Sequence, residues 1–321
     1  MRAITQAVYG EADVLTLSDL PIPTPASDEL LIEVRAAGVD QATWHLMTGL
    51  PLLARLAMGI PNPKQTTLGG DVAGVVSAVG SAVTEFAVGD EVYGVASGSF
   101  ADYATAKPRN LAPKPARLTF GESAALPTSL ITAYQGMRDR VKPGDRVLVL
   151  GAAGGVGGFA VQLAKAWGAE VTGAARASKL DLARRYGADH VVDYVSEPLG
   201  AGYDVVVDTG GNRSLREVRA LLAPRGTAVL VGGEGAGGKL LAGFQRQLWA
   251  GILTRFIPQT LVPVVAMTRG HDLVDLAPLI ESGAIVPVID ETYPLERTAD
   301  AVRRLRNPQR RGKVVVEVWR D

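Results

Sequence analysis

The chain has no cysteine at all, which removes disulfides, thiolate-ligated zinc, iron–sulfur clusters and a cysteine nucleophile together. Histidine is scarce: His45, His190 and His271 are too scattered along the sequence to announce a histidine metal cage, and no metal site is expected. Excess charge of either sign is missing, with 33 Lys and Arg against 33 Asp and Glu. No overall field therefore gathers nucleic acid or anionic lipid, and neither partner is expected. Long hydrophobic runs are also absent, since the stretch Leu240 to Phe256 is broken by Gln245, Arg246 and Gln247. The residues from Met1 to Gly10 have no continuous apolar core and lead into Glu11 and Asp13, unlike a secretory leader. A cytoplasmic location is the expectation.

What is present is ordinary globular material. A chain of 321 residues, 47% hydrophobic and 21% charged, can build a large core divided between two domains. Its first third holds short β-like runs punctuated by Gly and Pro: Leu30–Val34, Asp71–Val79, Glu91–Val95 and Phe100–Thr105. From Asp145 onward, apolar strand runs alternate with helical stretches, the pattern of βαβ units on a parallel sheet. The strands are expected at Arg146–Leu150, Glu170–Ala174, Tyr203–Asp208, Thr227–Gly232 and Thr260–Ala266. Ser178 with Asp181, and Ser214 with Glu217, read as capping boxes at helix starts. After Gly283 a strand (Pro287–Asp290), a helix (Leu295–Arg306) and a last strand (Lys313–Val318) resemble the early texture, so the chain is expected to return to its first domain.

The chemistry-bearing motif runs from Val147 to Gly158: a buried strand, then Gly151-Ala-Ala-Gly154-Gly155-Val-Gly157-Gly158, then a helix beginning near Val156. In that context the glycines serve a tight turn, close approach of a pyrophosphate to the backbone, and close helix–strand packing. The phosphates are expected on the helix N-terminus, among Gly151, Ala152, Gly154, Gly155, Val156 and Gly157. The carboxylate that holds the adenosine ribose of NAD should close the second strand. That strand instead ends in Ala174-Ala175-Arg176, with Ser178 and Lys179 following. Two cations and a hydroxyl suit a 2′-phosphate, so NADPH is the expected cofactor. Solvated loop charges are the competing reading of Arg176 and Lys179.

With these residues in place, the chain resembles the medium-chain dehydrogenase/reductase superfamily, and within it the quinone oxidoreductase (zeta-crystallin-like) branch. The matching segments are Ala37-Gly-Val-Asp40, Gly69 to Val76, Val88 to Gly94, Leu126 to Tyr134, Gly151 to Gly157 and Gly187 to Tyr194, in order over nearly the whole length. The resemblance implies an α/β protein with a GroES-like, β-rich catalytic domain (1–123 and 269–321) and a Rossmann domain with a doubly wound parallel sheet (124–268). It implies an active site in the cleft between them, and a homodimer. Where zinc-dependent relatives place a cysteine, a histidine and a second cysteine on the catalytic metal, this chain has Asp40, Gly70 and Thr128. Glycine offers no side-chain ligand, which favours the metal-free branch.

Without a Lewis acid, quinones and conjugated enones are easier hydride acceptors than plain ketones, because the charge that develops is delocalised. The substrate is therefore read as a small carbonyl compound of that class. Asp40 and His45 are the catalytic candidates and Trp44 a candidate pocket wall. Metal-free relatives carry asparagine and tyrosine where Asp40 and His45 stand. His45 is a candidate general acid or hydrogen-bond donor, against the competing reading of a packed histidine. Thr128 and Tyr134 are candidate contacts to the nicotinamide half, and Tyr194 corresponds to a position on the adenine side. Gly232 and Gly233, after a Rossmann strand, lie beside the nicotinamide or in a mobile loop. The run Arg303, Arg304, Arg306, Arg310, Arg311 and Lys313 reads as a solvated helix face and following loop. Two other functions fit the same motif: an alcohol or aldehyde reductase using NADP and a metal bound elsewhere, and a cofactor-binding protein with a regulatory or RNA-binding role.

Overall fold

The computed structural model of the chain describes residues 1–232, 240–241 and 243–319. The chain divides into two units, one of Met1–Thr128 with Thr268–Asp321 and one of Ser129–Met267.

The first unit opens with an antiparallel pair, β1 (Arg2–Thr5) and β2 (Thr16–Asp19). The ten-residue strand β3 (Leu30–Val39) follows, with an almost wholly buried apolar sequence. It stops at Asp40, whose side chain accepts the Thr43 N–H and so caps α1 (Gln41–Thr48). Gly49, at φ 64°, closes that helix in the left-handed conformation that glycine adopts at least cost. After the short α2 (Arg55–Met58) come β4 (Asp71–Val79), β5 (Glu91–Val95), β6 (Tyr103–Ala106) and β7 (Leu111–Pro113). A capping box of Thr119 and Glu122 starts α3 (Phe120–Ala124).

Helix α4 (Pro127–Met137) contains the point at which the chain leaves the first unit. In the second unit β8 (Arg146–Leu150), α5 (Gly155–Ala166), β9 (Glu170–Ala175), α6 (Leu180–Arg185), β10 (His190–Asp193) and β11 (Tyr203–Asp208) alternate. They are followed by α7 (Leu215–Leu221), β12 (Leu222–Leu230), α8 (Phe244–Leu253) and β13 (Thr260–Pro263). The strands form a parallel sheet in the order β10-β9-β8-β11-β12-β13. The order reverses between β8 and β11, the switch point beyond whose carboxyl ends open α/β sheets bind ligands. Leu148, Val206, Ala228 and Leu230 are among its buried core residues.

The chain then re-enters the first unit through α9 (Gly270–Glu281), β14 (Ile289–Pro294), α10 (Thr298–Arg306) and β15 (Lys313–Glu317). The sheet there runs β14-β15-β3-β4-β5-β7, with β6 also on β3. The length of β3 explains the branching: residues 30–33 pair with β6 and residues 36–39 with β15. Leu30, Ile32, Val34, Val72, Phe100, Val314 and Val316 lie in its core.

Several local expectations are corrected: the strand expected at Phe100–Thr105 runs from Tyr103 to Ala106, and that at Thr260–Ala266 ends at Pro263. Ser178 does not cap a helix; it sits inside a 3-10 turn, Ala177–Lys179, and α6 starts after Lys179 with no side-chain cap. The strand expected at Pro287–Asp290 runs instead from Ile289 to Pro294, where its parallel register with β15 supplies partners. The Ser214–Glu217 capping box is formed.

Candidate active site

The glycine-rich turn joins β8 to α5, and its glycines do different work. Gly151 has φ 82°, a conformation that strains any side chain, and a Cβ there would also lie 2.5 Å from the Thr209 hydroxyl. At Gly157 a Cβ would stand 2.1 Å from the Gly151 carbonyl oxygen, so this glycine lets α5 begin tight against the turn. Gly154, the N-cap, is the open one: a Cβ there would meet only the Gly151 oxygen, at 3.2 Å. Its own side-chain space faces outward at the end of a twelve-residue helix whose first N–H groups lack intrahelical partners. That is the cradle a pyrophosphate needs. Ala152 beneath it is fully buried, and Gly155 and Val156 form the first helical residues.

Beside this turn β9 delivers Arg176, which is exposed and whose Nε donates to the Tyr194 hydroxyl at 3.1 Å. Tyr194 follows the end of β10, so the two neighbouring strand ends hold the guanidinium out into solvent. The nearest carboxylate on β10, Asp193, is occupied by the Val195 N–H and the Ser196 hydroxyl. Ser178 and Lys179 follow Arg176 in the 3-10 turn. This corner thus presents cations and hydroxyls, with its one β10 carboxylate engaged, beside the turn that fits a dinucleotide. At the switch point Asp208, ending β11, accepts the N–H groups of Gly210 and Gly211 and pairs with Arg246, which also reaches the Gly232 carbonyl. Gly232 itself leaves no room for a side chain, a Cβ there falling 2.5 Å from the Thr209 carbonyl oxygen. Gly233 lies outside the described residues.

In the first unit Asp40, Gly70 and Thr128 line one pocket of about 410 Å³, together with Thr43, Leu46, Gln65 and others. The volume suits a small ring compound. The Asp40 carboxylate is engaged, accepting from the Thr43 N–H at 2.9 Å and its hydroxyl at 3.2 Å. Behind the wall lies Asp71, fully buried at the start of β4, whose Oδ1 receives the Thr128 hydroxyl at 2.5 Å and the Thr128 N–H at 3.0 Å. Burial, and then the Asp40 carboxylate, push Asp71 up to about 8, while Lys313 and the Thr128 bonds pull the other way. Lys313 is buried at the start of β15, and that burial pushes its ammonium down.

Asp71 and Lys313 are thus part of the candidate site, although sequence reasoning assigned them none. Each reads alone as a charge at a strand end; the signal was the Gly69-Gly-Asp71 segment, whose acid directly follows Gly70. Lys313 alone is buried and departs from the reading of the arginine-rich run as a solvated helix face and following loop; Arg303 and Arg306 are exposed. Arg303 pairs with Asp300 and Asp13, Arg304 with Asp290 and Glu291, and Arg306 lies over the Trp44 ring at 4.6 Å.

The other candidates stand elsewhere. Trp44 packs on the first unit's core, edge-on to His45. His45 Nδ1 lies 2.7 Å from the Leu50 carbonyl oxygen, which fixes the proton on that nitrogen. Neither lines the pocket shared by Asp40 and Thr128. Tyr134, in the second unit, stacks between Trp167 and the Arg138 guanidinium. Among the described residues, no group of three or more His, Cys, Asp or Glu could hold a metal ion, and no helix is long and apolar enough to cross a membrane.

Comparison with known proteins agrees on the class. Residues 26–116 match the family model of the alcohol dehydrogenase GroES-like domain, and residues 186–316 that of zinc-binding dehydrogenases. The chain is 32% identical to a chloroplastic quinone-oxidoreductase homolog of Spinacia oleracea, over 99% of this chain and 98% of that one. It is 35% identical to an NADPH-dependent alkenal/one oxidoreductase of Arabidopsis thaliana, over 98% of this chain and 79% of the relative. The solved quinone oxidoreductase of Coxiella burnetii superimposes with a TM-score of 0.84 at 27% identity, covering 99% of both chains.

Proposed function

This chain belongs to the medium-chain dehydrogenase/reductase superfamily, in its zinc-free quinone oxidoreductase branch, and from that premise we propose that it reduces a quinone or α,β-unsaturated carbonyl compound with NADPH, without a metal. When bound, NADPH supplies a hydride; the chain's residues bind, orient and exclude water. The open N-cap at Gly154 and the N–H groups of α5 would hold the pyrophosphate, and Arg176, steadied by Tyr194, the 2′-phosphate.

The observation that carries the metal-free reading is the pocket wall itself. Of the three positions Asp40, Gly70 and Thr128 on the pocket wall, one offers no side chain, one a hydroxyl and one a carboxylate already spent on capping α1. A hydride acceptor that needs no Lewis acid is the class such a wall can serve, because its developing charge is spread over several atoms. A homodimer and a cytoplasmic location complete the reading; the exposed Leu248, Trp249 and Ile252 of α8, with Phe256 just after it, beside edge strand β13, support the former.

The test is loss of reduced-nicotinamide absorbance with chelator-treated protein, offering NADPH and NADH against quinones, enones and simple aldehydes. Oxidation of NADPH by a quinone or enone, indifferent to chelator, is expected. Turnover only after zinc is restored would refute the metal-free reading, and sedimentation at the monomer mass would refute the dimer.

A further inference from the structure

The first unit buries Asp71 and Lys313 close to Asp40, three ionisable groups that act on one another. Buried ionisable groups are poor sources of stability, since apolar residues of similar volume commonly serve a fold better. This set is nevertheless built with care. Gly38 leaves room for it: a Cβ there would stand 3.0 Å from the Asp71 Cβ and 2.3 Å from the Ala124 carbonyl oxygen. Thr128, half-buried, is the member that touches both sides, lining the pocket and reaching Asp71 at 2.5 Å through its hydroxyl. The charged groups acting on Asp71 are Asp40, at the N-cap of α1, and Lys313, at the head of β15; Arg310, in the turn before β15, acts on Lys313.

We propose that Thr128 and Asp71 form the proton route into the pocket: the Thr128 hydroxyl protonates the oxygen of the reduced substrate and is itself reprotonated by the Asp71 carboxyl. The inference rests on the hydride-transfer reading above. Once the substrate carbon has accepted hydride, an electron pair resides on its oxygen. The new O–H bond forms there as the Thr128 O–H bond breaks, and the Thr128 O–H bond is restored as the Asp71 O–H bond breaks. Asp71 is left as a carboxylate beside the Lys313 ammonium and regains its proton from water through the same hydroxyl. The balance is one hydride and one proton per carbonyl compound reduced. Thr128 is the catalytic donor; Asp71 acts through it. Asp71 must hold a proton at neutral pH to do this, and its burial beside Asp40 supplies that condition.

The test uses the full chain with NADPH and para-benzoquinone, and infrared spectroscopy of the protein without cofactor. Wild-type protein at neutral pH is expected to show the carbonyl stretch of a protonated carboxyl, titrating near 8 and absent from Asp71→Asn. Thr128→Val removes the hydroxyl at nearly constant shape and is expected to lower kcat about 10²-fold with NADPH affinity unchanged, while Thr128→Ser restores most of it. The alkaline fall in kcat disappears in Asp71→Asn. Asp40→Asn keeps an oxygen for the Thr43 cap but removes the facing charge, so both the infrared titration and the alkaline fall move to lower pH. Absence of the protonated-carboxyl band overturns the proposal even if turnover is normal. So does a Thr128→Val kcat within about threefold of wild type. A protein with the titrating band but no oxidation of NADPH by any quinone or enone fails the hydride-transfer reading instead, and the proton route falls with it.

Discussion

Replacing Gly154 and, separately, Gly157 by alanine separates a ligand cradle from a packing contact within one turn. At Gly157 the new methyl carbon starts 2.1 Å from the Gly151 carbonyl oxygen, more than an ångström inside the roughly 3.3 Å at which carbon and oxygen rest. The neighbour is backbone and cannot swing away, so the turn and α5 must separate. Overpacking of this kind costs about 1–3 kcal/mol, or roughly 4–12 °C in the melting temperature of a domain of this size. At Gly154 the methyl meets one atom at 3.2 Å, and the residue's φ of −84° and ψ of 173° are open to alanine. The melting temperature of Gly154→Ala is expected to stay within about 2 °C of wild type, the poorer cap offsetting the stiffer unfolded chain. The methyl would nevertheless occupy the space a pyrophosphate needs to reach the helix N–H groups. One lost charge-assisted hydrogen bond is worth about 1.5–3 kcal/mol, so the NADPH Kd should rise about 10–150-fold. Calorimetric titration with NADPH and thermal melts of both variants provide the assay. A Gly154→Ala protein that binds NADPH as wild type does would refute the cradle, whatever happens at Gly157.

Three further outcomes follow from the geometry. Arg176→Ala is expected to weaken NADPH at least about tenfold while leaving NADH binding nearly unchanged, with Tyr194→Phe showing a smaller loss in the same direction; equal losses for both cofactors would refute the 2′-phosphate role. Asp208→Asn leaves the Arg246 guanidinium, 9% exposed, without its carboxylate, and should destabilise the protein by about 3–5 kcal/mol in urea unfolding; a change under about 1 kcal/mol would contradict that. The raised Asp71 means that the folded chain holds a proton which the unfolded chain, titrating near 3.8, gives up. The stability tied to this proton is full below that pH and is lost as pH rises towards about 8, so the urea midpoint should fall over that window in wild type and less steeply in Asp71→Asn. A wild-type midpoint with no more pH dependence than the variant's would refute it.

The second unit was legible because its information is local. β8 and β11 each hold an unbroken apolar run, Val147–Leu150 and Val205–Val207, and the glycine turn and the Ser214 capping box are each written in fewer than a dozen neighbouring residues. Ser178 misled because a polar residue followed by an acid is only half of a cap. The chain spends Ala177–Lys179 on a tighter 3-10 turn, which puts Asp181 one position too early to reciprocate. The site in the first unit had no comparable local signature. Asp71 and Lys313 each open a strand, where a charge ordinarily marks the step from solvent into the sheet. What unites them is register: Ala37 opposite Val72 and Val39 opposite Val314 bring both residues to the end of β3, where Asp40 caps α1. A sequence shows the cost of burying each charge only after the pairing of distant strands is known. Once it is known, that cost becomes the signal, because a fold that buries two carboxyl groups and an ammonium together sets their protonation by its own packing and charges.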